Sequence, residues 1–200
     1  MEEMKICGLL LTTACLLYGC GPMSEEAAIA ELEAEGGRVE GDGTFRRPRI
    51  LRLPHKLKTD AWLRNLKWFT DIERLSLESD QVTDDGLQHL SVLTNLNWLD
   101  LNSTQITDAG LEHLKGLTRL ERLDLSNTPV TGQGLVHLKG LTSLKDLDLS
   151  NTLITGPGLE QLKEATRILE RSNILPANAD GHGIFPDGLH LKIRGGARFP

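Results

Sequence analysis

Aromatic residues are scarce in this chain of 200 residues, where Phe, Trp and Tyr together make up 4%. Cysteine is also rare, with three residues, and the formal net charge is −6. A nucleic-acid-binding protein usually has a strongly basic face, so the charge balance gives no support to that class of partner. With so few rings, a core has to be filled by many similar aliphatic side chains, and leucine is abundant.

Motifs for catalysis are missing as well. The sequence has no glycine-rich phosphate loop, no paired cysteines or His-Glu pair at metal-ligand spacing, and no serine in a nucleophile elbow. Its polar residues recur at a fixed interval, as in a scaffold, and do not form a single constellation of reactive groups. We therefore predict that the protein is not an enzyme and has no cofactor and no metal site.

No apolar run is long enough to cross a bilayer, which takes about 20 residues in a helix. The first candidate, Ile6 to Leu17, follows Lys5 and has the length of the apolar part of an export signal. It ends in Leu17-Tyr18-Gly19-Cys20, which resembles the lipobox of bacterial lipoproteins. That resemblance implies lipidation at Cys20 after removal of residues 1–19. The alternatives are an ordinary secretory signal or a core segment.

Export without disulfides agrees with the positions of the cysteines. Cys7 and Cys15 lie in the segment to be removed, so Cys20 alone remains and cannot form an intrachain disulfide. The predicted location is the cell envelope, where the N-terminal lipid anchors the protein to a membrane.

A repeat of 24 residues organises the middle of the chain. Pairs of leucines in a Leu-x-Leu pattern recur in phase at Leu51/Leu53, Leu75/Leu77, Leu99/Leu101, Leu123/Leu125 and Leu147/Leu149. A second apolar column keeps the same phase at Leu63, Leu87, Leu111, Leu135 and Leu159. Such periodic self-similarity is typical of stacked units that cannot bury their apolar edges alone.

Each unit contains a strand and then a short helix. Leu123 and Leu125 alternate with polar residues, and this period of two predicts a strand with one buried face. Leu135 and Leu138 are three residues apart, which predicts a short helix. Thr131 is the predicted N-cap of that helix. In other units Asp84 and Asp108 follow the equivalent threonine, where a carboxylate favours the positive end of a helix.

The pattern Leu-x-x-Leu-x-Leu-x-x-Thr-x-Ile/Val-Thr-Asp-x-Gly-Leu-x-x-Leu, over residues 50 to 168, resembles the leucine-rich-repeat family. The resemblance implies an α/β solenoid with a parallel concave sheet and short outer helices. It also implies a binding role for the concave side. The familiar Asn after each strand is replaced here by Asp80, Thr104, Thr128 and Thr152. The Asn side chain usually bonds to backbone groups of the neighbouring turn, and a threonine ladder can partly replace it.

The two ends of the stack need caps. Ser24 to Glu35 reads as a helix with Ser24 as N-cap, and Gly41-Asp42-Gly43 as a hairpin turn. After Ile168 the repeat phase fails. Residues 160–171 are a candidate terminal helix, and a hairpin around Phe185 to Leu189 and disorder remain alternatives for the tail. The predicted segments are a signal peptide (1–19), an N-terminal linker, helix and hairpin cap (20–49), a solenoid of about five units (50–170) and a C-terminal cap or disordered tail (171–200).

The exposed strand positions are the candidate binding site. Alternation places Arg74, Trp98 and Arg122 in one column and Asp100, Asp124 and Asp148 in the next. A tryptophan beside arginines is typical of binding hot spots, and a basic partner or a cation would relieve the repulsion between the aspartates. The alternatives are that Leu-Asp-Leu is a common feature of such repeats and that Trp98 only covers the arginine stems. A third exposed column is predicted at Glu78, Asn102, Ser126 and Ser150.

A column of histidines and a stretch of basic residues are two further groups of polar side chains. His89, His113 and His137 share one column that looks solvent-facing, and we interpret them as exposed helix residues in preference to a metal or pH-sensing site. The basic residues Arg46, Arg47, Arg49, Arg52, Lys56 and Lys58 suit either anionic lipid or, as we prefer, a solvated hairpin edge.

The predicted function is that of a non-enzymatic module, anchored at the bacterial cell envelope, that binds an unknown protein or peptide on the concave face. The alternative is a structural envelope protein that self-associates through the solenoid.

Overall fold

The computed structural model of the chain describes residues 24–41, 48–154, 182–184 and 190–192. The predicted lipidation site at Cys20, the turn residues 42 and 43, Arg46, Arg47 and the candidate helix over 160–171 lie outside the described residues. Within the described part of the chain, no helix is long and apolar enough to cross a membrane.

Helix α1 (Glu25–Ala34) opens the described chain. Ser24 is its N-cap, as predicted, because its side chain accepts a hydrogen bond from the Ala27 N–H. The helix stops before Gly36, which has a φ of 84° that suits glycine. Ala28 and Leu32 are fully buried, so α1 covers the first end of the core.

The strands of the described residues form one sheet in the order β1-β2-β3-β4-β5-β6-β8-β7. Strands β1 and β2 pair antiparallel, as do β7 and β8, and every pairing between them is parallel. The strand bounds are β1 (Arg38–Gly41), β2 (Pro48–Arg52), β3 (Arg74–Ser76), β4 (Trp98–Asp100), β5 (Arg122–Asp124), β6 (Asp146–Asp148), β7 (His182–Ile184) and β8 (His190–Lys192).

The 24-residue period is the register of the parallel sheet. Leu75 pairs with Leu99, Leu99 with Leu123, and Leu123 with Leu147, so each strand lies beside its copy one unit away. Leu147 then pairs with Leu191 of β8, which continues the sheet beyond the repeats. The predicted solenoid architecture with a parallel sheet is therefore confirmed.

Short helices connect the strands on the far side of the core. The first two units contain the α-helices α2 (Asp60–Leu63) and α3 (Asp84–Leu87). The other helical turns are 3₁₀, at His55–Leu57, Arg64–Trp68, Gln88–Val92, Gly110–Leu114 and Gly134–Gly140. The spacing of three between Leu135 and Leu138 fits a 3₁₀ turn, where residues three apart lie on one face.

The core consists of stacked aliphatic side chains. Leu99, Leu101, Leu111 and Leu114 are fully buried, and the same positions are buried in the neighbouring units. Burying one leucine contributes roughly 1.5–3 kcal/mol. Because every unit supplies the same set, the core grows by addition of equal layers, which explains how it forms with few aromatic rings. Trp62 and Phe69 enlarge its first layer, where the two rings stack with centroids 6.2 Å apart.

Aspartates link each unit to the next on the helical side. Asp84 accepts hydrogen bonds from both the N–H (2.8 Å) and the hydroxyl (2.6 Å) of Thr107. Asp60 holds Thr83 in the same way, and Asp108 holds Thr131. We call this set the Asp–Thr ladder. The sequence predicted the threonine caps, and their hydroxyls do accept from Asp85, Ala109 and Gln133 N–H groups. It did not predict the contact between units.

The expected threonine ladder between neighbouring turns is wrong. Thr104, Thr128 and Thr152 are buried, and each hydroxyl donates to the carbonyl three residues back in its own turn. The reason is local: the preceding residue has a φ of 56° in each case, which bends the chain back over its own strand. These hydrogen bonds therefore stabilise single turns.

Candidate binding surface

The outward side chains of β3 to β6 form two adjacent columns, which we call the strand face. The register aligns Arg74 with Trp98, Trp98 with Arg122, and Arg122 with Asp146, and it aligns the second column likewise. The strand face comprises Arg74, Trp98, Arg122 and Asp146 in the first column and Ser76, Asp100, Asp124 and Asp148 in the second. All six predicted partner-binding residues are therefore brought together on one surface.

Trp98 lies between two arginines, of which one forms an ion pair and the other does not. Arg122 is exposed and forms an ion pair with Asp146, with Nε 2.8 Å from Oδ2. Arg74 is exposed and has no ion-pair partner among the described residues. Trp98 is half-buried, and the cation–π contact of the described chain is elsewhere, between Lys67 and Trp68. The strand face thus has one free cation beside a partly exposed indole.

The aspartates of the second column have a structural role that the sequence analysis missed. The side chains of Asp100, Asp124 and Asp148 each accept a hydrogen bond from the backbone N–H two residues on, at 2.8–3.0 Å. This arrangement is an Asx turn, which stops the strand. The available signal was an aspartate at the end of every short strand, because aspartate favours turns over strand interiors. The carboxylates are therefore held in place whether or not a partner binds.

Hydroxyl donors reduce the repulsion along this column. Ser76 Oγ donates to Asp100 Oδ2 (3.0 Å), and Ser126 Oγ donates to Asp124 Oδ1 (2.5 Å). Asp124 Oδ1 also takes the Ser126 N–H, so its other oxygen is left without a hydrogen bond among the described residues.

The prediction of a third exposed column is wrong for most of its members. Ser126 and Ser150 are each 5% exposed and Asn102 is half-buried, whereas Glu78 is exposed as predicted. Alternation between faces requires a strand, and each strand ends at its aspartate. The following turn carries these side chains under the edge of the sheet, where Asn102 Nδ2 donates to Ser126 Oγ at 2.7 Å.

A polar groove of ≈ 520 Å³ lies at the opposite ends of the strands and was not predicted. Inside it Arg119 donates to Asn95 Oδ1 at 2.8 Å, and Lys145 pairs with Glu121 at 2.9 Å. The groove is lined by Asp71, Glu73, Asn95, Asn97, Arg119, Glu121 and Ser143. The groove is wide open, and Arg119 already forms a hydrogen bond within the chain. We therefore do not propose that the groove binds a ligand.

The histidine column is half-buried, so these side chains face solvent only in part. Burial lowers the pKa of His89, and the nearby Arg64 lowers it further, while Asp60 opposes the change. The described residues contain no group of three His, Cys, Asp or Glu side chains that could hold a metal ion.

The described cations of the basic stretch bind acids and carbonyls of the chain itself. Arg52 pairs with Glu40 at 2.6 Å, and Lys56 pairs with Glu35 at 2.8 Å. Lys58 donates to the carbonyl of Glu78 at 3.2 Å. These contacts tie α1 and the first hairpin to the solenoid.

Two family models match the chain. One, described as "Leucine Rich repeats (2 copies)", matches residues 94–132, and the other, "Leucine Rich repeat", matches residues 140–163. No curated protein matches significantly. Neither model describes an enzyme, and proteins with such repeats generally mediate protein–protein interactions.

Solved structures match parts of the chain. An internalin C2 of Listeria monocytogenes is 27% identical over 50% of this chain and 42% of its own, with a TM-score of 0.40. The ectodomain of the receptor kinase SOBIR1 of Arabidopsis thaliana is 18% identical over 73% of this chain and 90% of its own, with a TM-score of 0.41. The chain spans less than half the length of the internalin. The matched segments and the 24-residue register of the parallel sheet together show that the chain contains leucine-rich repeats, over residues 94–132 and 140–163.

Proposed function

We propose that the protein is a non-enzymatic interaction module that binds a protein or peptide on the strand face and is held at the bacterial cell envelope by lipid on Cys20. The observation that carries the binding role is the position of Trp98, partly exposed between Arg74 and Arg122 on an open sheet surface. Trp and Arg are the residues most enriched among those that dominate binding energy.

Preorganisation supports this role. Asp100, Asp124 and Asp148 are fixed by Asx turns, and Arg122 is fixed by Asp146, so these side chains lose little freedom on binding. The strand backbone is rigid because each central strand is bonded on both sides.

The envelope anchor is supported by the sequence Leu17-Tyr18-Gly19-Cys20, which stands four residues before Ser24, the N-cap of α1. One acyl chain gives only marginal membrane binding, and two or more give stable anchoring. The lipidated form would therefore hold the solenoid close to the bilayer surface.

Photo-cross-linking tests the binding surface. We expect a photoreactive phenylalanine analogue at position 98 to form adducts in intact envelopes, and the same analogue at Val92, exposed in a 3₁₀ turn, to form none. Trp98→Ala should reduce partner recovery at least ~10-fold, since a central Trp commonly contributes ≥ 2 kcal/mol, while the melting curve is retained. Equal adduct yields at positions 98 and 92 would show that the partner has no preference for the strand face. Adducts made solely between copies of the chain would favour the self-associating envelope protein.

Lipidation is tested separately. Wild type should shift in mobility when cells are treated with globomycin, which blocks lipoprotein signal cleavage, and Cys20→Ala should not. Cys20→Ala should also leave the membrane fraction, with Cys15→Ala as the matched control. Membrane retention of Cys20→Ala without a globomycin response would contradict the anchor.

A further inference from the structure

The strand face is narrow. Strands β3 to β6 each contain three residues. With ~3.3 Å per residue and ~4.8 Å between strands, their outward surface is a strip of roughly 10 by 15 Å. A stable contact between folded proteins covers about 800 Å² on each partner, several times this strip. The strip itself therefore suits one extended segment that crosses the strands.

Backbone pairing cannot hold such a segment. Leu77 N–H donates to Asp100 O, Leu101 N–H to Asp124 O, and Leu125 N–H to Asp148 O, all at 2.8–2.9 Å. With β2 on one side and β8 on the other, strands β3 to β6 have neighbours at both edges. A segment lying on the face can thus be recognised only through side chains.

The open charges of the face have opposite signs at two separate points. Among the described residues Arg74 has no ion-pair partner, whereas Arg122 is bound to Asp146. One carboxylate oxygen of Asp124 has no hydrogen bond in the same part of the chain, whereas both oxygens of Asp100 accept hydrogen bonds, from Ser76 and Asn102. Asp148 makes further contacts within the chain.

Trp98 stands between these two points. The register places Arg74 on β3, Trp98 on β4 and Asp124 on β5, so the two open charges are two strand spacings apart. Asp124 is also two residues further along its strand than Arg122, the residue in register with Arg74, so the two Cα positions are ~12 Å apart. Side chains alternate between the two sides of an extended segment, so two residues that face the sheet with one other facing residue between them are four positions apart, ~13 Å.

We propose that the strand face binds one extended peptide segment in which an acidic residue and a basic residue are four positions apart, the acid facing Arg74 and the base facing Asp124. An apolar or aromatic residue between them packs on Trp98. The proposal deepens the proposed function and rests on it, because it specifies the chemistry of the partner of the same face.

Synthetic peptides test it directly. Four fluorescent seven-residue peptides of Gly, Leu and Pro would carry two variable positions separated by three residues: one Glu and one Lys, two Glu, two Lys, or two Ser. Fluorescence anisotropy at low ionic strength, where charge screening is weak, compares their affinities for the wild-type protein. We expect the mixed peptide to bind at least ~10-fold more tightly than the other three, since it alone matches both charges.

Substitutions should change the ranking in a defined way. Arg74→Glu should make the two-Lys peptide the best ligand. Asp124→Asn keeps an acceptor for the Ser126 N–H but removes the charge, so the preference for Lys should disappear while the fold is retained. Lys139→Glu, exposed in the 3₁₀ helix Gly134–Gly140, should leave the ranking unchanged.

Equal affinity for all four peptides, or a ranking that survives both Arg74→Glu and Asp124→Asn, overturns the proposal. The cross-link at position 98 separates this failure from failure of the proposed function. Adducts at position 98 without a peptide preference would overturn the charge pattern alone. If the adducts at position 98 and the peptide preference were both missing, the binding role of the strand face would be overturned as well.

Discussion

At the scale of single residues, glycine and aspartate act as a pair across units. A Cβ atom at Gly86 or Gly110 would overlap the carboxylate of Asp60 or Asp84, the same carboxylate that binds the threonine of the next unit. At Gly134 the added Cβ would lie 2.7 Å from the Cα of Asp108. The repeat needs glycine at this position because any side chain there would collide with the aspartate of the Asp–Thr ladder.

Gly110→Ala tests this pairing. We expect the substitution to lower the free energy of unfolding by about 1–3 kcal/mol, the usual cost of overpacking, because Asp84 has to move away from Thr107. Urea denaturation measures the change. The matched control is Gly116→Ala, where nothing lies within 4 Å of the added Cβ and no loss is expected. Equal losses in both variants would show that the ladder does not depend on the glycine.

At the scale of elements, helix α1 meets the first unit through an imperfect polar contact. Glu31 Oε2, Trp62 Nε1, Asn65 Oδ1 and Trp68 Nε1 are buried without a hydrogen-bond partner in the described part of the chain. The last two belong to the 3₁₀ helix that α1 contacts. Buried polar groups without partners are costly. Ala28, Leu32 and the Lys56–Glu35 ion pair must therefore hold the helix in place.

Glu31 makes the docking of α1 dependent on pH. Burial raises the pKa of Glu31 above its ordinary value, the nearby Trp62 side chain opposes the shift, and the Glu35 carboxylate adds to it. The folded state therefore binds this proton more tightly than the unfolded state. Its contribution to stability is complete below the ordinary pKa of glutamate and is lost as pH rises through the raised value.

Glu31→Gln should consequently stabilise the protein at neutral pH and make little difference in acid, because it removes the buried charge. Thermal unfolding from pH 4 to pH 8 measures the difference from wild type. Glu33→Gln, exposed on the same helix, is the control and should follow the wild-type curve. If the Glu31→Gln and wild-type curves ran parallel over the whole range, the carboxyl would have no part in the docking.

At the scale of the whole molecule, both ends of the parallel stack are closed by an antiparallel strand pair. Strand β1 lies outside β2 at one end, and β7 lies outside β8 at the other. An open edge in a parallel stack presents free backbone groups that invite pairing with other chains. The two hairpins therefore end the repetitive array and make the short strands β1 and β7 the outer edges of the sheet.

Truncation tests this closure. Removal of residues 182–200 should expose the edge of β6 and cause concentration-dependent association, detected by light scattering. Removal of residues 193–200 keeps β8, so this shorter chain should have the same oligomeric state as the full chain. If both truncated chains have the mass of a monomer, β8 is not needed to protect the sheet.

Much of the architecture could be predicted because the repeat states the same information several times. The spacing of Leu75, Leu99 and Leu123 already contained the register of the sheet, and alternation identified Arg74, Trp98 and Asp124 as neighbours on one face. Ser126 and Ser150 were misplaced because alternation was extended past the end of a three-residue strand. Where a strand stops depends on hydrogen bonds of the following turn, which have no period of their own.

The sequence by itself determined the repeat length, the buried columns and the order of charges across the strand face, because apolar periodicity specifies which side chains must leave water. The tertiary structure alone decided which groups are satisfied. It showed that Asp84 bonds to Thr107 of the next unit and that Asp146 neutralises Arg122. Arg74 and one oxygen of Asp124 have no partner within the described ranges. Hydrogen bonds and ion pairs depend on distances of a few tenths of an ångström between residues far apart in the chain, and a pattern of residue types carries no such distances.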